Sequence, residues 1–274
     1  MKCKSKPQPN TQACIAKLQA HHKQIQLLSQ QPMVQYTATD REVAGFISYP
    51  ELCKARDSLE KGSRERLFLA MLTMVPPCRG GDMACVRIFN KEPSNKELSQ
   101  YAGNYIVIAH QQPRICWRQY KSKHSYGVVK VALPGCLLDE IQASLDTTPR
   151  DWLFSMAHNT LEPYNRNTFS AWAATMLKRV TGNPYINVHL IRHSYVSHYH
   201  SLYDTSKLTG PAKIALYDQT LRQIAKCMMH SLERAKQYVF ELVPETGLPQ
   251  PLDNSKIHKP LRPSTSPIVL DLLP

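Results

Sequence analysis

The sequence predicts an α+β domain, mainly helical, with a small three-stranded antiparallel sheet. Three observations carry that expectation. Apolar residues recur at helical spacing over several long stretches, as one buried helix face requires. Ile115/Trp117 and Val129/Val131/Leu133 instead alternate with polar positions, as half-buried strands do. A lysine-bearing turn between them, Tyr120–Gly127 (YKSKHSYG), joins neighbouring strands as a mobile hairpin loop.

In chain order, residues 1–44 read as an N-terminal arm with one amphipathic helix. Ile15, Leu18, Ile25 and Leu28 recur between Thr11 and Gln30, and Gln31–Asp40 is a linker. Residues 45–243 form the main domain. Ser48 or Tyr49-Pro50 opens a helix through about Glu60, and Ser63 caps the next, SRERLFLAMLTMV. Leu67, Phe68, Ala70, Met71, Leu72, Met74 and Val75 leave that helix almost no polar face, so it is buried, and Pro76-Pro77 stops it. Asn104–Ile108, Arg114–Gln119 and Val128–Leu133 are the expected strands, and Pro134 ends the sheet. Cys136–Leu145 is a short helix and Trp152-Leu153-Phe154 a small buried segment.

Arg166–Val180 has the clearest apolar stripe, from Phe169 through Trp172, Ala173, Met176 and Leu177 to Val180, and Gly182-Asn183-Pro184 breaks it. A helix containing VHLIRHSYVSHYH follows, in which Tyr195, Tyr199 and Tyr203 recur every four residues as packing positions. Pro211 suits the first turn of a helix to about Met229, and Ser231 caps a last one, SLERAKQYVFEL. Residues 244–274 hold seven prolines, which preclude regular structure, so they read as a flexible tail. The tail's apolar end, Ile268–Leu273, could dock on a partner surface.

Thirty-four Lys+Arg against 21 Asp+Glu give a net charge of +13, an excess that points to a polyanion, most often nucleic acid. No apolar run approaches a membrane span, and MKCKSKPQPN lacks the apolar core of a secretory signal. The eight cysteines form no C-x-x-C pair, so neither a zinc ribbon nor a redox site is suggested, and without a secretory signal reduced thiols in an intracellular compartment are expected. His193, His198 and His200 cluster near His189, but no carboxylate or thiolate stands at ligand spacing from them, which argues against a metal.

The chemistry-bearing positions are spread along the chain. His189 and Arg192, three apart, share a helix face, setting a ring that can take a proton beside a fork that can hold a phosphate in two hydrogen bonds. Upstream, CRGGDMACVRI places Arg79 just after the buried helix, with Asp82 three residues later to brace it. Lys121 and Lys123 stand on the hairpin, and His230 and Tyr238 lie downstream, Tyr238 being the only tyrosine after His230.

Taken together, Arg79, the hairpin lysines, His189-x-x-Arg192, His230 and Tyr238 resemble the tyrosine recombinase (phage integrase) family, over about Gly45 to Leu242. The PPCRGGD, YKSKHSYG and H-S-x-E stretches look most like recombinases of eukaryotic mobile elements and large DNA viruses. The resemblance implies a site-specific DNA recombinase that cleaves and rejoins double-stranded DNA through a 3′-phosphotyrosine on Tyr238. Arg79 and Arg192 would clamp the non-bridging oxygens, His189 would handle the tyrosine proton, and His230 would hydrogen-bond the phosphate. Lys123, with Lys121 as the fallback, would protonate the leaving 5′-oxygen, and Asp82 and His193 would support the site. It implies no metal and no cofactor, because the guanidiniums supply the charge. It also implies self-association on DNA as a synaptic tetramer, no membrane partner, and nuclear location in a eukaryotic host. The family usually has glycine before its second histidine; here Met229 stands there. Two other readings stay open. One is a type IB topoisomerase-like nicking and rejoining enzyme, although those usually carry lysine where His189 stands. The other is a basic DNA-binding protein without catalysis.

Overall fold

A computed structural model describes residues 38–108, 111–156, 159–202, 211–236, 238, 240–242 and 249–251. These lie in one compact unit, Thr37–Pro274. The helix expected over residues 11–30 and the apolar end at 268–273 fall outside the described residues.

The chain enters through α1 (Asp40–Gly45), whose Thr39 and Glu42 form a reciprocal capping box. Gly45 lets α1 approach the later helix α8 (Val188–Leu202) closely: a Cβ there would stand 2.6 Å from Leu190 Cδ1 and 2.8 Å from the Tyr185 carbonyl oxygen. Helix α2 (Tyr49–Asp57) begins with a second box, Ser48 with Glu51, and α3 (Arg64–Thr73) is capped by Ser63, as expected. Every residue from Leu67 to Thr73 is buried, so α3 is the element around which the core forms. Phe68 lies 5.9 Å from Phe154, 5.6 Å from Phe169 and 5.3 Å from Trp172 between ring centroids, all edge-on. That cluster fixes α3 against α7 (Arg166–Thr181), which starts at Arg166 as expected and ends where a break was expected, with Gly182 as its left-handed cap.

One ion pair ties α3 to α6 (Gly135–Thr147). Arg66 donates from Nε and Nη2 to the carboxylate of Glu140, which is only 5% exposed. Removing one partner of such a pair leaves an uncompensated charge. Glu140→Ala is therefore expected to destabilise the fold by about 3 kcal/mol, measured from urea unfolding midpoints, whereas a surface glutamate such as Glu60 should cost little.

The sheet has four strands, not three, in the order β1 (Val86–Phe89), β2 (Asn104–Val107), β3 (Arg114–Trp117), β4 (Val129–Ala132). The added strand is parallel to β2, whereas β2–β3 and β3–β4 are antiparallel, so the sheet is mixed. A parallel neighbour needs a crossover, and α4 (Asn95–Gln100) supplies it, capped by Ser94 and Glu97. The turn between β3 and β4 contains a single helical turn, α5 (Lys123–Tyr126). The segment after Phe154 forms a small ladder, β5 (Ser155–Met156) with β6 (Asn159–Pro163).

Helices α8 and α9 (Pro211–Cys227) form as expected, but the last helix does not run through Leu242. It is α10 (Leu232–Lys236), after which Tyr238 sits in a turn and β7 (Phe240–Leu242) pairs antiparallel with β8 (Pro249–Pro251). The proline-rich segment thus contributes an edge strand. Proline is compatible with that place, because an edge strand leaves half its amides without a partner.

Candidate active site

Two core clusters meet along α8. The larger holds α3, the sheet and α7; the smaller gathers Tyr195, Val196, Tyr199, Tyr217, Leu221, Ile224, Met228 and Tyr238. Tyr195 and Tyr199 therefore pack, as their spacing suggested. His198 stacks on Tyr49 at 4.4 Å and His200 Nδ1 lies 2.6 Å from the Tyr217 hydroxyl, so neither converges on His189.

At the seam stands Arg192, 2% exposed. Its Nη1 donates to the Pro77 carbonyl at 2.9 Å and its Nη2 to the Met228 carbonyl at 3.1 Å. A guanidinium has five N–H donors; these two carbonyls take two, the Tyr238 phenol is a further hydrogen-bond partner, and no carboxylate lies within ion-pair distance among the described residues. The Arg192 Cζ lies 5.5 Å from the centre of the Tyr238 ring. Burial pulls its pKa down, opposed by the Tyr238 phenol beside it.

Around this pair the other expected groups assemble. Arg79 precedes the 3-10 turn Gly80–Asp82, and its buried Nη1 has no hydrogen-bond partner. Gly80 permits the turn's approach to the start of α8, since a Cβ there would meet Val188 Cγ2 at 3.2 Å. Arg79 is near enough to depress the basicity of His189, Arg192 and His230 electrostatically. His189 sets its ring edge-on to Tyr238, 5.2 Å between centroids, which shields the ring although the residue as a whole is the most open of the group. His230, 5% exposed, is 4.9 Å from the Tyr238 ring. Burial first, then Arg192, pushes the His230 pKa down to about 3. Its Nδ1 lies 3.0 Å from the Ser231 carbonyl, which can only accept, so Nδ1 carries the proton. Its Nε2 is buried without a partner.

The turn that delivers His230 explains Met229. Helix α9 closes with the His230 amide donating to the Ala225 carbonyl and the Met229 amide to the Lys226 carbonyl, a Schellman arrangement that demands a left-handed residue. Met229 takes that place at φ 57°, where glycine would be unstrained. Its side chain is fully buried in the larger core cluster, which offsets the backbone cost. The same turn presents the Met228 carbonyl to Arg192 and the Met229 carbonyl to Ser122, whose Oγ donates at 2.6 Å. The hairpin expected to be mobile is thereby docked, with Tyr120 Oη also bonded to the Gly127 carbonyl at 2.6 Å.

Lys123, one residue from that latch, is half-buried, and its ammonium makes no hydrogen bond or ion pair among the described residues. Lys121 is exposed and lines a cleft of about 260 Å³ with Asp82, Tyr120 and Arg166. Asp82 does not bond to Arg79 as expected. Its buried carboxylate accepts instead from Arg166 Nη2, a residue the sequence reading had not singled out, and its other oxygen is unpartnered. Burial raises its pKa, opposed by the charges of Arg166, Arg79 and Arg192.

Tyr238 is set by its backbone. Its carbonyl lies 3.1 Å from His193 Nδ1 and accepts from Ser197 Oγ at 3.2 Å, one turn further along α8. The structure thus brings Arg79, His189, Arg192, His193, His230 and Tyr238 together within one chain. What they make is a pocket beside a phenol in which two guanidiniums face a single nearby carboxylate, Asp82, and a guanidinium nitrogen of Arg79 and a ring nitrogen of His230 have no partner. Among the described residues no group of three metal-ligating side chains converges, and no helix is long and apolar enough to cross a membrane.

No family model and no curated protein sequence matches the chain. A solved structure described as the crystal structure of XerA recombinase is similar to it with a TM-score of 0.43 and 13% identity. The similarity covers 80% of this chain and 62% of that one, less than two thirds of its length.

Proposed function

We propose that the chain is a site-specific DNA recombinase that breaks and reseals double-stranded DNA through a covalent bond to Tyr238. One observation carries the reading: Arg192 is 2% exposed with no carboxylate in ion-pair contact among the described residues, and a donor of Arg79 and a ring nitrogen of His230 are unpartnered. Leaving such groups buried costs several kcal/mol, roughly 1–3 for each unmet polar group and more for a charge. A phosphodiester removes that cost, since two guanidiniums can each offer paired donors to its non-bridging oxygens. An anion there also raises the basicity of His230, which turns its Nε2 into a donor to the phosphate.

In the reaction, the Tyr238 oxygen attacks phosphorus and its proton passes to His189. The bond to the 5′-oxygen breaks, and that oxygen takes a proton from the ammonium of Lys123. The phosphate stays on the tyrosine until a 5′-hydroxyl reverses the step. Because the ester retains the bond energy, no nucleotide cofactor is consumed. The excess of +13 over the chain suits the duplex on either side of the reacting phosphate. Exchange between two duplexes needs protomers assembled on DNA, the function we assign to self-association.

The test uses a pool of duplexes nicked so that the released strand diffuses away and resealing is blocked. Wild-type protein is expected to form an adduct that survives denaturation, and Tyr238→Phe none, while still binding the same DNA. Failure of wild type to form any adduct, under conditions where it binds the duplex, refutes the proposal.

A further inference from the structure

His189 and His193 sit one helical turn apart on α8, with their Nε2 atoms 3.2 Å apart. Two nitrogens at that distance share one proton, and the other end of His193 decides whose it is. His193 Nδ1 lies 3.1 Å from the Tyr238 carbonyl oxygen. A carbonyl cannot donate, so His193 Nδ1 carries hydrogen, and the neutral ring has only a lone pair left at Nε2. The proton between the rings therefore belongs to His189 Nε2, which leaves His189 Nδ1 as a free lone pair.

We infer that His193 is a positioning residue, holding the carbonyl of Tyr238 with one nitrogen and fixing with the other the tautomer in which His189 can accept a proton at Nδ1. The inference rests on the recombinase reading only for the use made of that lone pair. The proton inventory itself follows from the hydrogen bonds.

The surroundings keep both rings neutral. Burial is the first cause for each, and it pushes the His193 pKa down to about 3. The charged groups that face the pair are Arg192 on α8, Arg79 on the turn after α3, Arg234 on α10 and Glu42 on α1. Three cations against one carboxylate oppose protonation, so near neutral pH His193 stays an acceptor at Nε2. The arrangement has a kinetic merit as well. When His189 takes the phenol proton, its Nε2–H becomes a stronger donor, and the acceptor it needs is already in place. Ser197 shares the Tyr238 carbonyl and stands eight residues along α8 from His189, more than two helical turns, which separates the two duties of His193.

Long-range ¹H–¹⁵N correlation spectra of protein labelled at histidine report which ring nitrogen bears hydrogen. At pH 7.5 the free wild-type protein is expected to show His189 protonated at Nε2. His193→Phe should give a mixture of tautomers and cleave at least about tenfold more slowly, since the base then spends part of its time protonated at the wrong nitrogen. His193→Gln, whose side-chain carbonyl can still accept from His189, should restore the wild-type tautomer. Ser197→Ala should slow cleavage without altering the His189 pattern. Wild-type His189 protonated at Nδ1 overturns the inference, and that spectrum decides even if His193→Phe does not fold. An unchanged tautomer in a folded His193→Phe overturns it equally. If the wild type shows the expected tautomer and yet forms no covalent adduct, the recombinase reading fails and the histidine pair stands.

Discussion

Arg192→Lys is expected to lower the rate of DNA cleavage by about three orders of magnitude, although the charge is kept. The guanidinium spans two carbonyls, Pro77 from the segment after α3 and Met228 from the end of α9, and still has donors left for a phosphate. An ammonium is a point with three donors. It can hold one of those carbonyls or reach the phosphate, and it cannot present a planar pair to two oxygens. Two structural losses accompany the chemical one. A buried carbonyl left unmet costs about 1–3 kcal/mol, and the turns bearing Arg79 and His230 lose their common anchor. The chemical effect is isolated by measuring adduct formation per bound complex, at DNA concentrations that saturate each variant, with far-UV circular dichroism to confirm folding. A rate within about threefold of wild type would show that the fork is not what holds the phosphate.

That two turns so far apart in sequence share one anchor marks the limit of what the residues alone could reveal. The spacing of His189 and Arg192 placed both on one helix, and α3 and α7 were legible from their apolar faces, α3 also from its cap at Ser63. Strand β1 escaped because it is four residues long, with the burial of Val86 and Phe89 not alternating, and its partner is a parallel strand reached through a crossover. The box formed by Ser94 and Glu97 was the available signal for that crossover helix. At Tyr238 local propensity was overridden. LERAKQYVFEL has a helical composition, but the Tyr238 carbonyl is bonded to His193 and Ser197 rather than to an amide further along its own chain. The docking of the hairpin by Ser122 on Met229 joins residues 107 apart and had no sequence signal at all. The pairing of Asp82 with Arg166, 84 residues later, is of the same kind. Residue types announced the chemistry; which of them face one another was set by packing.

The same packing implies an acid-sensitive fold. His193 and His230 are 1% and 5% exposed, and burial holds both near a pKa of about 3, against 6.5 for a free histidine. Above pH 6.5 neither folded nor unfolded chain binds these protons, and the two rings make no pH-dependent contribution. As pH falls below 6.5 the unfolded chain takes up protons that the folded chain refuses, so stability declines with a slope of about 1.4 kcal/mol per pH unit for each ring. The decline stops near pH 3, where the folded chain accepts the protons too. By pH 4.5 the pair is expected to remove roughly 5 kcal/mol, a large share of the stability of an ordinary domain. Urea midpoints measured from pH 7.5 to 4.5 test this, with His230→Gln as the comparison. The variant should lose only about half as much as wild type, and equal losses would mean that His230 is not held neutral. Bound DNA should reverse the trend at His230 alone. A phosphate against Nε2 favours the imidazolium, so the complex takes up a proton on forming and duplex affinity rises as pH falls from 7.5 towards 6. In His230→Gln that pH dependence of binding should largely disappear, tying the unpartnered nitrogen to the phosphate by a measurement that does not depend on cleavage.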